Sequence, residues 1–147
     1  MLQKIGVLVD TPYNPLTKEI VAGAIEVHRA LGPGLLESVY LPCFQYELST
    51  RSLHWRAQQP IPIVYKGIAL DVSYRIDLIV EERVVVELKT VDKLLGVHEA
   101  QLLTYLRLTG CPVGLLINFN VTKLTDGVRR MFNVHTGDRA SKNGAHH

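Results

Sequence analysis

The chain has 147 residues, 47% of them hydrophobic and 20% charged, and its 16 Lys plus Arg against 14 Asp plus Glu leave a formal charge of +2. This is the size and apolar content of a single domain, expected over residues 1–136 with a disordered polar tail at 137–147. The near-neutral balance excludes a strongly basic nucleic-acid coat and an acidic tail, and leaves a local basic groove open.

The N-terminal stretch Met1 to Asp10 has a short apolar run and no small-residue cleavage site. No apolar segment approaches the ~18 residues that cross a bilayer, so the chain reads as cytoplasmic. Asn14, Pro15 and Thr17 supply helix-start chemistry, and Ile20, Ala24, Val27 and Leu31 recur at helical spacing until Gly32-Pro33-Gly34 stops them. A second helix follows to about Thr50 on the stripe Leu36, Val39, Tyr40, Cys43, Phe44 and Leu48, with Pro42 expected to bend it or disturb its first turn. Trp55, in Leu53-His54-Trp55-Arg56, reads as a partly buried loop aromatic.

From Gln59 the period changes to two. Strands are predicted at Pro60 to Tyr65, Val72 to Val80 and Arg83 to Lys89, with turns at Lys66-Gly67 and Glu81-Glu82. Helical spacing returns from Val97 to Leu108, Gly110-Cys111-Pro112 breaks it, and Val113 to Phe119 reads as a buried strand. This order predicts an α/β fold: a mixed, mostly antiparallel sheet of four to five strands flanked by helices, its last strand reached by a crossover. Cys43 and Cys111 lie far apart among apolar residues and read as buried thiols.

The unusual residues are charges on apolar strands: Asp77 between Ile76 and Leu78, and Glu87 and Lys89 either side of Leu88. Glu87 and Lys89 project to one face because strand side chains alternate. A two-residue turn at Glu81-Glu82 would place Asp77 against Val86, whereas a three-residue connection through Arg83 would place it against Glu87. In the second register two carboxylates face each other and need a cation or a proton between them. With the Leu88 carbonyl and no nearby Cys or His pair, that donor set suits Mg²⁺ or Mn²⁺. Lys89 would then orient water or stabilise charge on a phosphate.

Glu37 heads the otherwise apolar stripe with Leu41, Phe44 and Leu48, and reads equally as a site carboxylate or as a first-turn acid favoured by the helix dipole. His98, Gln101 and Tyr105 form a polar stripe on the later helix, suited to a phosphate, to a metal ligand or to a half-exposed edge.

Asp77 followed by Glu87-Leu88-Lys89 resembles the signature of the PD-(D/E)XK nuclease superfamily, although Ile76 stands where the name has Pro. Gln101-Leu102-Leu103-Thr104-Tyr105 resembles the Gln-x-x-x-Tyr helix of its exonuclease-like branch. Gly34-Leu35-Leu36-Glu37-Ser38-Val39-Tyr40 is similar to the motif that names the GxxExxY family, placed in that superfamily. The resemblance implies a restriction-endonuclease-like fold, with Asp77, Glu87, Leu88 and Glu37 as the metal site, Lys89 as catalytic lysine, and Gln101 and Tyr105 in support. The implied activity is Mg²⁺-dependent hydrolysis of DNA. Lys66, Arg75, Lys93, Arg107, Lys123, Arg129 and Arg130 are candidates for backbone contacts. The alternative is a catalytically silent module that keeps the fold to bind nucleic acid or a protein. A homodimer through a strand edge or the first helix is compatible with both.

Overall fold

The computed structural model describes residues 14–134. The expectations for the N-terminal stretch and for the 137–147 tail lie outside the described residues.

Helix α1 spans Asn14–Leu31 and buries Ile20, Ala24 and Val27 of the predicted stripe, while Leu31, at its last turn, is exposed. It ends where Gly32 turns left-handed at φ 71° and donates its N–H to the His28 carbonyl at 2.7 Å. Helix α2, Glu37–Thr50, buries Tyr40, Phe44 and Leu48 and runs unbroken through Pro42. The hydrogen bond that the proline forfeits is to the carbonyl of Ser38, an exposed residue at the helix start where water is available, so the helix is not interrupted.

Strands β1 (Trp55–Tyr65) and β2 (Ile68–Val80) form a long antiparallel ribbon. Both begin earlier than the pattern predicted, and Trp55 lies on β1, where its Nε1 donates to Ser49 Oγ at 2.9 Å. Lys66 and Gly67, at φ 50° and 80°, make the expected two-residue turn between the paired residues Tyr65 and Ile68. Strand β3 covers Val84–Lys89, helix α3 Gly96–Thr109 and strand β4 Val113–Asn118. A 3-10 turn at Leu124–Gly127 then leads into β5, Val128–Phe132, an element absent from the sequence reading.

The five-stranded sheet has the order β1-β2-β3-β4-β5 and is antiparallel except for the β3·β4 pair, which α3 connects. Leu78, Val80, Val84, Val86 and Leu88 point to the α1 and α2 face, and Ile79, Val85 and Leu116 to the α3 face. Leu102 of α3 sits directly over Gly114, where a Cβ would come within 2.8 Å of it, so a bare backbone on β4 is what lets α3 pack this close. Full burial of side chains such as Leu78, Leu102 or Phe44 contributes about 1.5–3 kcal/mol each relative to exposure. Among the described residues no helix is long and apolar enough to cross a membrane.

The ribbon changes face partway along. Leu78 and Val80 pack with α1 and α2, yet Tyr74 and Ile76, at the same parity, pack on the α3 side. On β1, Ala57 and Ile61 differ in the same way. The switch falls at Gln58 and Asp77, which lie between the ladder pairs Ala57↔Leu78 and Gln59↔Ile76 and form no pair themselves.

Candidate active site

The connection between β2 and β3 is the three-residue one: Val80 pairs with Val84, Ile79 with Val85 and Leu78 with Val86. The next step along this register brings Asp77 to Glu87, and there the main-chain ladder gives way to side chains. The Asp77 N–H donates to Glu87 Oε2 at 2.7 Å, and the Leu88 N–H donates to Asp77 Oδ2 at 2.9 Å. Each carboxylate thus accepts a backbone N–H that the parting strands would otherwise leave unpaired. On its other side β3 continues in parallel with β4 as far as Lys89 opposite Asn118.

Burial at this fork sets the electrostatics. Glu87 is 4% exposed. Desolvation, and then the neighbouring Asp77 carboxylate, push its carboxyl up to about 8, against the opposing pull of the Asp77 N–H and of Lys89. Desolvation also lifts Asp77, opposed by the Leu88 N–H, Lys89 and a hydrogen bond from the Gln58 side chain. Glu37 is raised by partial burial and by Asp77. Tyr105 is pushed up to about 12 by burial, then by Glu87 and Asp77. The candidate acids therefore share one electrostatic neighbourhood, with Lys89 as the cation that lowers all three carboxyls.

Glu37 is brought there by the glycine-rich turn before α2. Gly34 adopts φ 96°, and the buried Tyr40 ties the turn down. The Tyr40 hydroxyl donates to the Gly32 carbonyl at 2.6 Å and accepts the Leu35 N–H at 3.2 Å, while its ring stacks on Phe119 at 4.6 Å. Gly34, Glu37 and Tyr40 thus act as one device: a left-handed turn, a presented carboxylate and an anchor. Glu37, Ser38, Leu41, Gln58, Asp77 and Leu88 line a cleft of about 250 Å³.

On the α3 side, Lys89 Nζ donates to Gln101 Oε1 at a long 3.4 Å, and Tyr105, one turn on, packs edge-to-face on Tyr74 at 5.4 Å. His98 does not join them. Its Nδ1 accepts the Leu95 N–H at 3.0 Å and closes the first turn of α3, as polar side chains at that position commonly do. The basic candidates are dispersed. Arg130 Nη1 reaches Thr17 Oγ1 at 3.2 Å and its guanidinium lies over Phe132, Arg129 caps the Asp126 and Val128 carbonyls, and Lys66 sits at the ribbon tip over Tyr65.

Two residues in this architecture were missed in the sequence. Gln58 faces Asp77 from the edge strand. Asn118, 2% exposed at the end of β4, accepts the Val91 and Asn120 N–H groups, each at 3.1 Å, and donates to the Val91 carbonyl at 2.8 Å. It pins the strap that leaves Lys89. Its only signal was an amide ending an apolar strand.

The donor set suits a hard divalent cation: two desolvated carboxylates side by side, each with an oxygen beyond the one that accepts a backbone N–H, and an adjoining backbone carbonyl at Leu88. Among the described residues no three His, Cys, Asp or Glu side chains gather into a ready metal cluster, so Glu37 shares the cleft with Asp77 without closing a three-carboxylate triad.

No curated protein and no solved structure matches the chain. A model of the PD-(D/E)XK nuclease superfamily matches residues 14–131, from the start of α1 into β5, and takes in every element that builds the cleft. On this match and on the sheet that carries Asp77, Glu87 and Lys89, the chain belongs to the PD-(D/E)XK nuclease superfamily.

Proposed function

We propose that this nuclease-superfamily domain is a member of the GxxExxY group that hydrolyses phosphodiester bonds of DNA with Mg²⁺ or Mn²⁺. The observation that carries the reading is the juxtaposition of Asp77 and Glu87 at the fork of β2 and β3, where their carboxylates accept the Leu88 and Asp77 N–H groups, with Lys89 one residue beyond Leu88. Asp77, Glu87 and the Leu88 carbonyl would hold the cation, with Glu37 contributing from the cleft wall. A cation so held would supply Lewis acidity toward the phosphate and toward an attacking water.

The chain's own residues do the rest. Asp77 and Glu87 are fixed by backbone N–H groups, so their orientation precedes ligand binding. Lys89, steadied by Gln101, offers its ammonium to charge developing on the phosphoryl oxygens. Tyr105 stays protonated through the physiological range and supports the α3 wall by its ring contact with Tyr74. All these groups come from one chain, so the site does not require a homodimer. With basic residues dispersed, DNA affinity would rest on the local site and remain weak and salt-sensitive.

A second reading, a catalytically silent module that binds nucleic acid or a protein partner, is favoured by the lack of a three-ligand cluster among the described residues. Purified chain incubated with labelled single- and double-stranded DNA, with and without Mg²⁺, separates the two. Cation-dependent cleavage that is lost in Asp77→Asn and Lys89→Ala supports the nuclease. Binding without cleavage under every cation supports the silent module.

A further inference from the structure

The β1–β2 ladder shifts register between Pro62 and Val64, and nearer the cleft it skips one pair without shifting. Ala57 pairs with Leu78 and Gln59 with Ile76, but Gln58 and Asp77 make no pair, and Gln58 has φ 53°. The other left-handed residues with side chains are Ser52 just after α2, Lys66 at the ribbon tip, and Glu81 and Glu82 in the second turn. Among the described residues, Gln58 alone holds this conformation inside a strand, at a cost of roughly 1–2 kcal/mol for a residue with a Cβ.

The left-handed step accounts for the change of face along β1, but it does not account for glutamine. Glycine would take the step without strain and asparagine with less. What glutamine adds is reach. Opposite Asp77 on the neighbouring strand, its side chain forms part of the cleft wall with Glu37, Asp77 and Leu88, where its Nε2 group is a donor that lowers the Asp77 carboxyl. The Asp77 carboxylate thus shares its cleft with this amide and accepts the Leu88 N–H at 2.9 Å.

We propose that Gln58 is a positioning residue of the active site: its carboxamide sets the orientation of the Asp77 carboxylate, and the strained step in mid-strand is kept for that purpose. The inference rests on the reading of Asp77 as a cation ligand, and it concerns a residue outside the superfamily motifs matched above.

The test uses the full chain and Mn²⁺ alone, with affinity from titration calorimetry and a thermal melt of each variant. Gln58→Gly keeps the left-handed backbone and removes the amide. Gln58→Asn keeps a backbone preference for that region and retracts the amide by one methylene. The expected result is a melting temperature at or above wild type for Gln58→Gly together with Mn²⁺ affinity roughly 10-fold or more weaker, the size of effect usual for a group that orients a metal ligand. Gln58→Asn should lose affinity in the same direction. Wild-type Mn²⁺ affinity in either folded variant overturns the role of Gln58 and leaves the cation site standing. If the wild-type chain itself takes up no Mn²⁺, the cation site falls and this proposal with it.

Discussion

The two ends of the β2–β3 pair behave as opposites. At one end Leu78, Ile79 and Val80 face Val86, Val85 and Val84 in a closed ladder whose residues are all at most 3% exposed. One residue farther the strands part, and the Glu87 carboxylate takes up the Asp77 N–H while the Asp77 carboxylate takes up the Leu88 N–H. The closed end satisfies its polar backbone within itself and gains from burying apolar side chains. The open end satisfies its backbone only by burying charge, and the result is a carboxyl pushed up to about 8 beside a second raised one. A sheet that forks is thus able to hold two carboxylates together that neither a closed ladder nor a solvated surface would hold.

Breaking the closed end should have the largest effect. Leu78→Ala removes a fully buried side chain and is expected to cost about 2–5 kcal/mol in urea denaturation. The open end should respond with the opposite sign. Glu87 binds more protons folded than unfolded between its ordinary 4.5 and about 8. The stability tied to its neutral form is therefore full below the lower value and is lost as pH rises through the upper one. Without divalent cations the wild-type chain should melt at a higher temperature near about pH 5.5 than near about pH 8.5, and Glu87→Gln should remove most of that slope. At the higher pH the variant should be the more stable by up to a few kcal/mol, while having no nuclease activity.

Asn118→Ala tests the polar brace behind the fork. It strands the Val91 N–H and carbonyl and is expected to cost about 1–3 kcal/mol, with the strap after Lys89 losing hydrogen-exchange protection. The smallest effect belongs to the turn that sets the register. Glu82→Asn trades an exposed ion pair with Arg56 for an easier left-handed residue, and the net change should stay within about 0.5 kcal/mol.

The pairing of Asp77 with Glu87 was legible because strand side chains alternate and the connection length fixes the register, leaving two choices. The helices were legible from their stripes. Strand β5 was not, because Val128-Arg129-Arg130-Met131-Phe132 places two arginines in a short strand that is only half-buried. His98 followed the spacing of Gln101 and Tyr105, but at the first turn of a helix the free backbone N–H groups compete for such a side chain. Gln58 was invisible for a different reason. A left-handed step in mid-strand usually announces itself as glycine, and here the residue was chosen for its side chain.

The central claim is that the fork of β2 and β3 is built to take a divalent cation between Asp77 and Glu87. Melting the wild-type chain and Glu87→Gln near about pH 8.5, with and without excess Mn²⁺, tests it most directly, because a ligand that binds the folded state raises its stability. The account predicts that Mn²⁺ raises the wild-type melting temperature and leaves Glu87→Gln nearly unchanged. An equal rise in both proteins, or none in the wild type, would contradict it.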